Sequence, residues 1–288
     1  MASLRDIRRR IRSVRNIQQI TQAMQRVAFS RLRVAQQRTL ASRPYAEALR
    51  DVLLSLPVLR GNDRDKLMIA RPVRHILVIH ITPDRSLCGA LPGNINRQLA
   101  HFALEQTVPV HVIAAGRRGR EFVVRSGLTM VADFSGIGDH PTADHATAIG
   151  RAALDEFHSE RADAVYVTYT RLISTLRQEP ALIQLLPVTP PERPVTTGHT
   201  IQALVEFEPE PKEVLRALLP RYIDMQIYQA LLESKASEHS ARMVAMQNAT
   251  DNARELVSSL TLSLNKARQA GITRELAEIV GGAAALEQ

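Results

Sequence analysis

Neither proline nor glycine occurs between residues 1 and 43, and neither occurs between 221 and 270. These are the two residues that break or terminate helices, so both stretches can run as uninterrupted helix. All fifteen prolines fall between Pro44 and Pro220, which concentrates turn chemistry in the middle of the chain. The distribution predicts two long helices bracketing a compact domain. The expected divisions are an N-terminal helix over 1–57, a central α/β domain over 72–190, a linker over 191–211 and a C-terminal helix over 212–288.

Apolar periodicity supports both helices. At the N-terminus Leu4, Ile7, Ile11, Val14, Ile17, Ile20, Met24 and Val27 recur at steps of three and four and draw one stripe. Ser3 with Asp6 three positions on reads as a capping-box-like start, the acid lying at the positive end of the helix dipole. Three successive steps of three, from Ile11 to Ile20, depart from a heptad and predict local overwinding. The C-terminal seam is cleaner, alternating steps of four and three from Leu218 through Met225, Leu232, His239, Met246 and Val257 to Ala267. A helix from Arg221 to Val280 would be roughly 90 Å long and must pack on something. The N-terminal helix is the expected mate. Because the compact domain separates them in sequence, the two should meet as an antiparallel coiled coil.

In the middle, 74–82, 109–116, 128–134 and 163–170 read as strands, with helix-like stretches at 92–105 and 142–160 between them and 182–188 as a candidate edge strand. Alternating strands and helices predict βαβ units and a mainly parallel sheet. The expected fold class is α/β plus long helices, with a Rossmann-like α/β domain inserted into an antiparallel coiled coil.

The formal charge is +8 overall, yet twelve arginines against Asp6, Glu47 and Asp51 give residues 1–57 a net +9. Basic residues on one helix admit nucleic acid as a partner, through phosphate contacts that neutralising Arg8, Arg9 and Arg10 would abolish. The apolar seam beside them and the single interleaved aromatic, Phe29, weigh against that and against a membrane-surface helix. No apolar run approaches the ~20 residues a membrane span needs, so no direct insertion is expected. The loop TPDRSLCGALPGN (82–94) and the later GRRGRE (116–121) match neither nucleotide-binding glycine pattern, and no cofactor is predicted. Asp139, His140, Asp144 and His145 are ligand-type residues, but Pro141 and Thr142 make their segment a helix start rather than a metal cage. Cys88 stands alone, which excludes an intramolecular disulfide. His239 on the C-terminal seam reads as a polar register-setting residue. No catalytic constellation can be assembled, and the chain reads as a mechanical or scaffolding protein.

The opening MASLRDIRRRIRSVRNIQQITQAM with SRPYAEAL (42–49), the loop DRSLCGAL (84–91), STLRQEPALIQLLPV (174–188) and the closing segment 236–286 resemble, in order, the gamma subunits of rotary F-type ATP synthases. Ser86 stands where that family usually has glycine, so the turn there should not demand positive φ. The resemblance implies a shaft running up the axis of a ring of alpha and beta subunits. It transmits rotation of the membrane c-ring to the catalytic sites of beta, itself holding no catalytic group and no cofactor. The implied ring contacts are Arg8, Met24, Arg242, Arg268, Gln269, Thr273 and Glu278, lying on the shaft surface. Phe207, Glu208 and Pro209 would touch the c-ring, and the loop of Cys88 would border the epsilon subunit. A peripheral position on the cytoplasmic side of a bacterial cell membrane is implied, or an inner mitochondrial or thylakoid membrane if the source is an organelle. A coiled-coil scaffold of another assembly and a nucleic-acid binder are the competing readings.

Overall fold

The structure, a computed structural model, describes residues 4–56, 65–189, 208 and 210–286. Its elements are α1 (Leu4–Ser55), a 3₁₀ turn (Lys66–Met68), β1 (Ile76–Ile81), α2 (Leu91–Glu105), β2 (Val110–Ala115), α3 (Arg117–Ser126), β3 (Thr129–Asp133), α4 (Ala143–His158), β4 (Ala164–Leu172), β5 (Gln178–Leu186) and α5 (Pro211–Leu286). The chain forms two compact units, Met1–Ala28 with Arg242–Gln288, and Phe29–Ala241.

Within the larger unit, the described strands form one sheet in the order β3-β2-β1-β4-β5. β1 pairs parallel with β2 and β4, β2 pairs parallel with β3, and β5 returns antiparallel on β4. The order 3-2-1-4 is that of a doubly wound half, as expected for a Rossmann-like domain. Every residue of β1 is buried because both sheet faces are covered. Leu77, Ile79 and Ile81 enter a core with Ile149 and Phe157 of α4, Leu53 of α1 and Leu215, Leu219 and Ile223 of α5. Ile76 and Val78 face the other way, onto Leu99 of α2 and Val123 of α3. The pattern of alternation explains why the sequence shows a continuous apolar run here.

Helix α3 is not predicted by the sequence, where GRRGRE reads only as a failed glycine motif. Its glycines serve close packing. Gly119 N donates to Thr82 Oγ1 at 2.7 Å, and a Cβ at Gly119 would lie 2.8 Å from His80 Cδ2. Thr142 N-caps α4 in a capping box with His145, which confirms that segment as a helix start.

Both long helices run through the prolines that bound the breaker-free stretches: α1 contains Pro44 and α5 contains Pro220. Each ring deprives the carbonyl four residues earlier of its helical donor. Those carbonyls belong to Leu40 and Arg216, both exposed residues, so water can replace the lost bond.

The N-terminal stripe is the principal correction. Burial on α1 advances in strict steps of three and four from Leu4 through Ile7, Ile11, Val14, Gln18, Thr21, Gln25 and Ala28 to Leu32, and on to Leu53, with no exposed member. There is no run of threes and hence no reason for overwinding. Ile17, Ile20 and Val27 are instead 49%, 58% and 50% exposed. Part of the inward face of the smaller unit is polar: the Thr21 and Thr250 hydroxyls are 2.8 Å apart, and Gln25 Nε2 donates to Gln247 Oε1. Numbers rise on α1 as they fall on α5, which makes the pair antiparallel. The C-terminal seam behaves as predicted, every predicted position from Met225 to Ala253 being buried or half-buried.

Candidate functional site

In an open α/β sheet the crevice for a ligand lies beyond the carboxyl ends of the strands, where strand order reverses. Here the reversal falls between β1 and β4. Three loops leave the sheet at that end: residues 82–90 after β1, 134–142 after β3 and the hairpin 173–177 after β4. All three reach α5.

The first brings Cys88, 1% exposed, into a small cluster with Leu91 and Ala241. Its backbone turns through Leu87 (φ 64) and Gly89 (φ 62). Ser86 is not among the residues at positive φ, in keeping with the absence of glycine there. Asp84 Oδ1 accepts from Arg117 N at 3.0 Å and Gly136 N at 3.1 Å, tying this loop to α3 and to the second loop. The second loop brings Asp139, whose Oδ2 accepts from Arg31 Nη1 of α1 at 2.5 Å, while its Oδ1 lies 3.8 Å from His239 Nε2 of α5. At the third, Ser237 Oγ donates to Thr170 O at 2.9 Å and Ser240 Oγ to Thr175 O at 2.7 Å. Gln178 Nε2 reaches Ser240 Oγ at 3.3 Å.

The stretch of α5 that receives these loops is polar and buried. Ser234, Lys235, Ser237, Glu238, His239, Ser240 and Arg242 are all below 9% exposure. Lys235 Nζ and Glu238 Oε2 are paired at 3.0 Å, so two charges are neutralised together out of water. Beside them, burial pushes the Glu233 carboxyl up, against the opposing pull of Arg171, the Tyr169 hydroxyl and Arg43. Sequence periodicity identifies only the face of α5 toward a partner helix. The signal for the second face is Ser234, Ser237 and Ser240, short hydroxyl side chains recurring every three residues.

Under the sheet, His80 donates through Nε2 to Asn96 Oδ1 at 2.9 Å and accepts at Nδ1 from Thr168 Oγ1 at 2.6 Å. Complete burial lowers its pKa to about 4, the Asn96 bond opposing, so the imidazole is neutral and structural.

Of the residues singled out by sequence, Arg8, Arg268, Gln269 and Thr273 are exposed and Met24 is half-buried. Thr273 Oγ1 donates back to Gln269 O at 3.0 Å. Arg242, expected on the shaft surface, is instead buried at 8% exposure. Glu278 lies within α5, its side chain outside the described residues. Glu208 is exposed; Phe207 and Pro209 lie outside the described residues. The thiol of Cys88 is buried, with Sγ 3.7 Å from Arg85 O, so the surface of its loop is formed by Arg85, Ser86 and Leu87. Asp139 and His145 are engaged in the ion pair and capping box already described. No cluster of three metal-ligating side chains occurs among the described residues. Among those residues, no helix is long and apolar enough to cross a membrane.

The smaller unit is an antiparallel helix pair with a polar-centred heptad seam, and the larger is an α/β domain whose crevice is filled by a helix of the same chain. A family model described as ATP synthase matches residues 3–286. An ATP synthase gamma chain from Dehalococcoides mccartyi strain CBDB1 is 50% identical, the match covering 99% of this chain and 100% of that one. The gamma chain of Roseiflexus castenholzii is 47% identical, with full coverage of both. The chain belongs to the ATP synthase gamma chain family. Its fold is also that of a chain in the Euglena gracilis mitochondrial ATP synthase structure of OSCP, F1 and c-ring in rotational state 3. That match has a TM-score of 0.71 at 20% identity and covers 98% of this chain and 94% of that one. A chain of the Tetrahymena thermophila mitochondrial central stalk and c-ring matches with a TM-score of 0.61 at 23% identity, covering 80% and 99%.

Proposed function

We propose that this chain is the central rotor stalk of an F-type ATP synthase, a subunit without catalytic groups of its own. It carries rotation of the membrane c-ring to the beta subunits for ATP synthesis, and the reverse during hydrolysis. The observation that carries this reading is family membership over nearly the whole length, joined to two uninterrupted helices paired antiparallel. Torque must pass along a rod that does not open locally, which long helices free of internal turns supply. Alpha, beta and epsilon subunits and the c-ring are the partners of this reading, with the complex held peripherally at a membrane.

Arg8, Arg268, Gln269 and Thr273, with Met24 and Glu278, form the proposed surface toward the alpha/beta ring, and Arg242, 8% exposed, backs that surface rather than lining it. Phe207, Glu208 and Pro209 are assigned to the c-ring and the Cys88 loop to epsilon. The arginines of α1 suit acidic ring surfaces, and the outward Ile17, Ile20 and Val27 suit an apolar sleeve. The test is affinity purification of the chain from its native membranes followed by identification of the co-purifying proteins. Recovery of alpha, beta, epsilon and c subunits is expected; their absence sinks the reading.

A further inference from the structure

The crevice that open α/β sheets ordinarily reserve for a ligand is filled here by a segment of the same chain. Four neighbouring positions of α5 are held by loops from the carboxyl end of the sheet: Ser237 and Ser240 by the β4–β5 hairpin, His239 by the β3–α4 loop and Ala241 by the β1–α2 loop. At 100° per residue the three polar positions among them, 237, 239 and 240, span roughly 160° of the helix circumference. A helix gripped over so wide an arc cannot turn about its own axis without breaking several contacts at once. Apolar contacts resist such turning only through packing, because burial itself is non-directional. Hydrogen bonds and ion pairs have fixed geometry. Asp139 extends the grip to the second helix through Arg31.

We infer that this crevice is a keyed socket that fixes the α/β domain rotationally on α5, with Asp139, Ser237 and Ser240 as its positioning residues. The inference rests on the rotor reading. In that setting the domain receives torque and the socket delivers it to α5, which continues without interruption to Leu286. The polar character of Ser234–Arg242 then has a mechanical reason. An apolar segment would be equally buried but would lack contacts of fixed direction.

The test uses the full ATP synthase complex in sealed vesicles, carrying the wild-type chain, the combined variant Asp139→Asn, Ser237→Ala, Ser240→Ala, or Asp139→Asn alone should the combined variant fail to assemble. Two rates are compared at equal amounts of assembled chain: gradient-driven ATP synthesis, and ATP hydrolysis with the gradient dissipated. Synthesis is expected to fall at least fivefold in the combined variant and at least twofold in Asp139→Asn, with hydrolysis within twofold of wild type. Asp139→Glu, which keeps the charge, should restore the ratio. A merely structural role would lower assembly or both rates together and leave the ratio unmoved, which overturns the socket. If the wild-type chain supports no gradient-driven synthesis with its partners, the rotor reading itself falls, and the socket with it.

Discussion

Helix α5 lives in two environments. From Ala230 to Ala241 all but one residue is buried, the exception being Glu233, which is half-buried, and the helix is enclosed by a sheet, its loops and a second helix. From Asp251 onward burial contracts to a single stripe, Ala253, then Val257, Leu260 and Leu264, with solvent on the other faces. The first region is fixed by a core and a polar grip. The second depends on one seam. The difference teaches that helix continuity and helix stability are separate properties: one unbroken element draws most of its tertiary stabilisation from a fraction of its length.

The largest test of that contrast is the same truncation in both regions. Leu231→Ala, in the enclosed part, should cost about 4 kcal/mol. Leu260→Ala, on the seam, should cost about 1 kcal/mol. Urea denaturation of the full chain measures both, and equal costs would break the distinction. Next in size is a pH effect confined to the domain. Unfolded histidine titrates near 6.5, whereas folded His80 stays neutral down to about 4. The stability that depends on neutral His80 is complete above pH 6.5 and is lost as pH falls toward 4, amounting to about 2.5 kcal/mol by pH 4.5. His80→Gln should remove that part of the pH dependence of the urea midpoint, leaving the seam unaffected.

Smaller effects probe the seam. Thr21→Val or Thr250→Val alone should cost about 1 kcal/mol, because the other hydroxyl loses its partner across the seam and keeps only its own helix carbonyl, Gln18 O or Met246 O, while the double replacement returns close to wild type. A double-mutant cycle followed by thermal unfolding gives the coupling. Smallest is Ile20→Ser, expected within about 0.5 kcal/mol of wild type because that side chain is outside the heptad. A loss of several kcal/mol would restore the stripe read from apolar residues alone.

That last case marks where sequence reading stops. The strands of the sheet were legible because burial on both faces leaves uninterrupted apolar runs, as in β1. The C-terminal seam was legible because its apolar and small residues keep one phase. On α1 the apolar residues mislead: Ile20 and Val27 outrank Thr21 and Gln25 in hydropathy, yet the phase is set by what α5 presents opposite, namely Thr250 and Gln247. Hydropathy cannot tell a stripe that meets a helix of the same chain from one left for another surface. The candidate socket was the least legible part. Its members come from α1, three loops and α5, and short hydroxyl side chains on a helix also occur on solvated faces. Only the fold brings Asp139 between Arg31 and His239.

The insertion of a whole domain between the two helices also dictates an order of events. Thr21 and its partner are 229 residues apart in sequence, so at ordinary synthesis rates α1 waits on the order of tens of seconds for its mate. Contacts of such long range are the last to repay their loop-closure entropy. During that wait an arginine-rich helix with glutamine and threonine at the middle of its seam stays soluble where a leucine-lined one would recruit the wrong partner. The polar seam is thus a provision for the nascent chain as much as for the finished one.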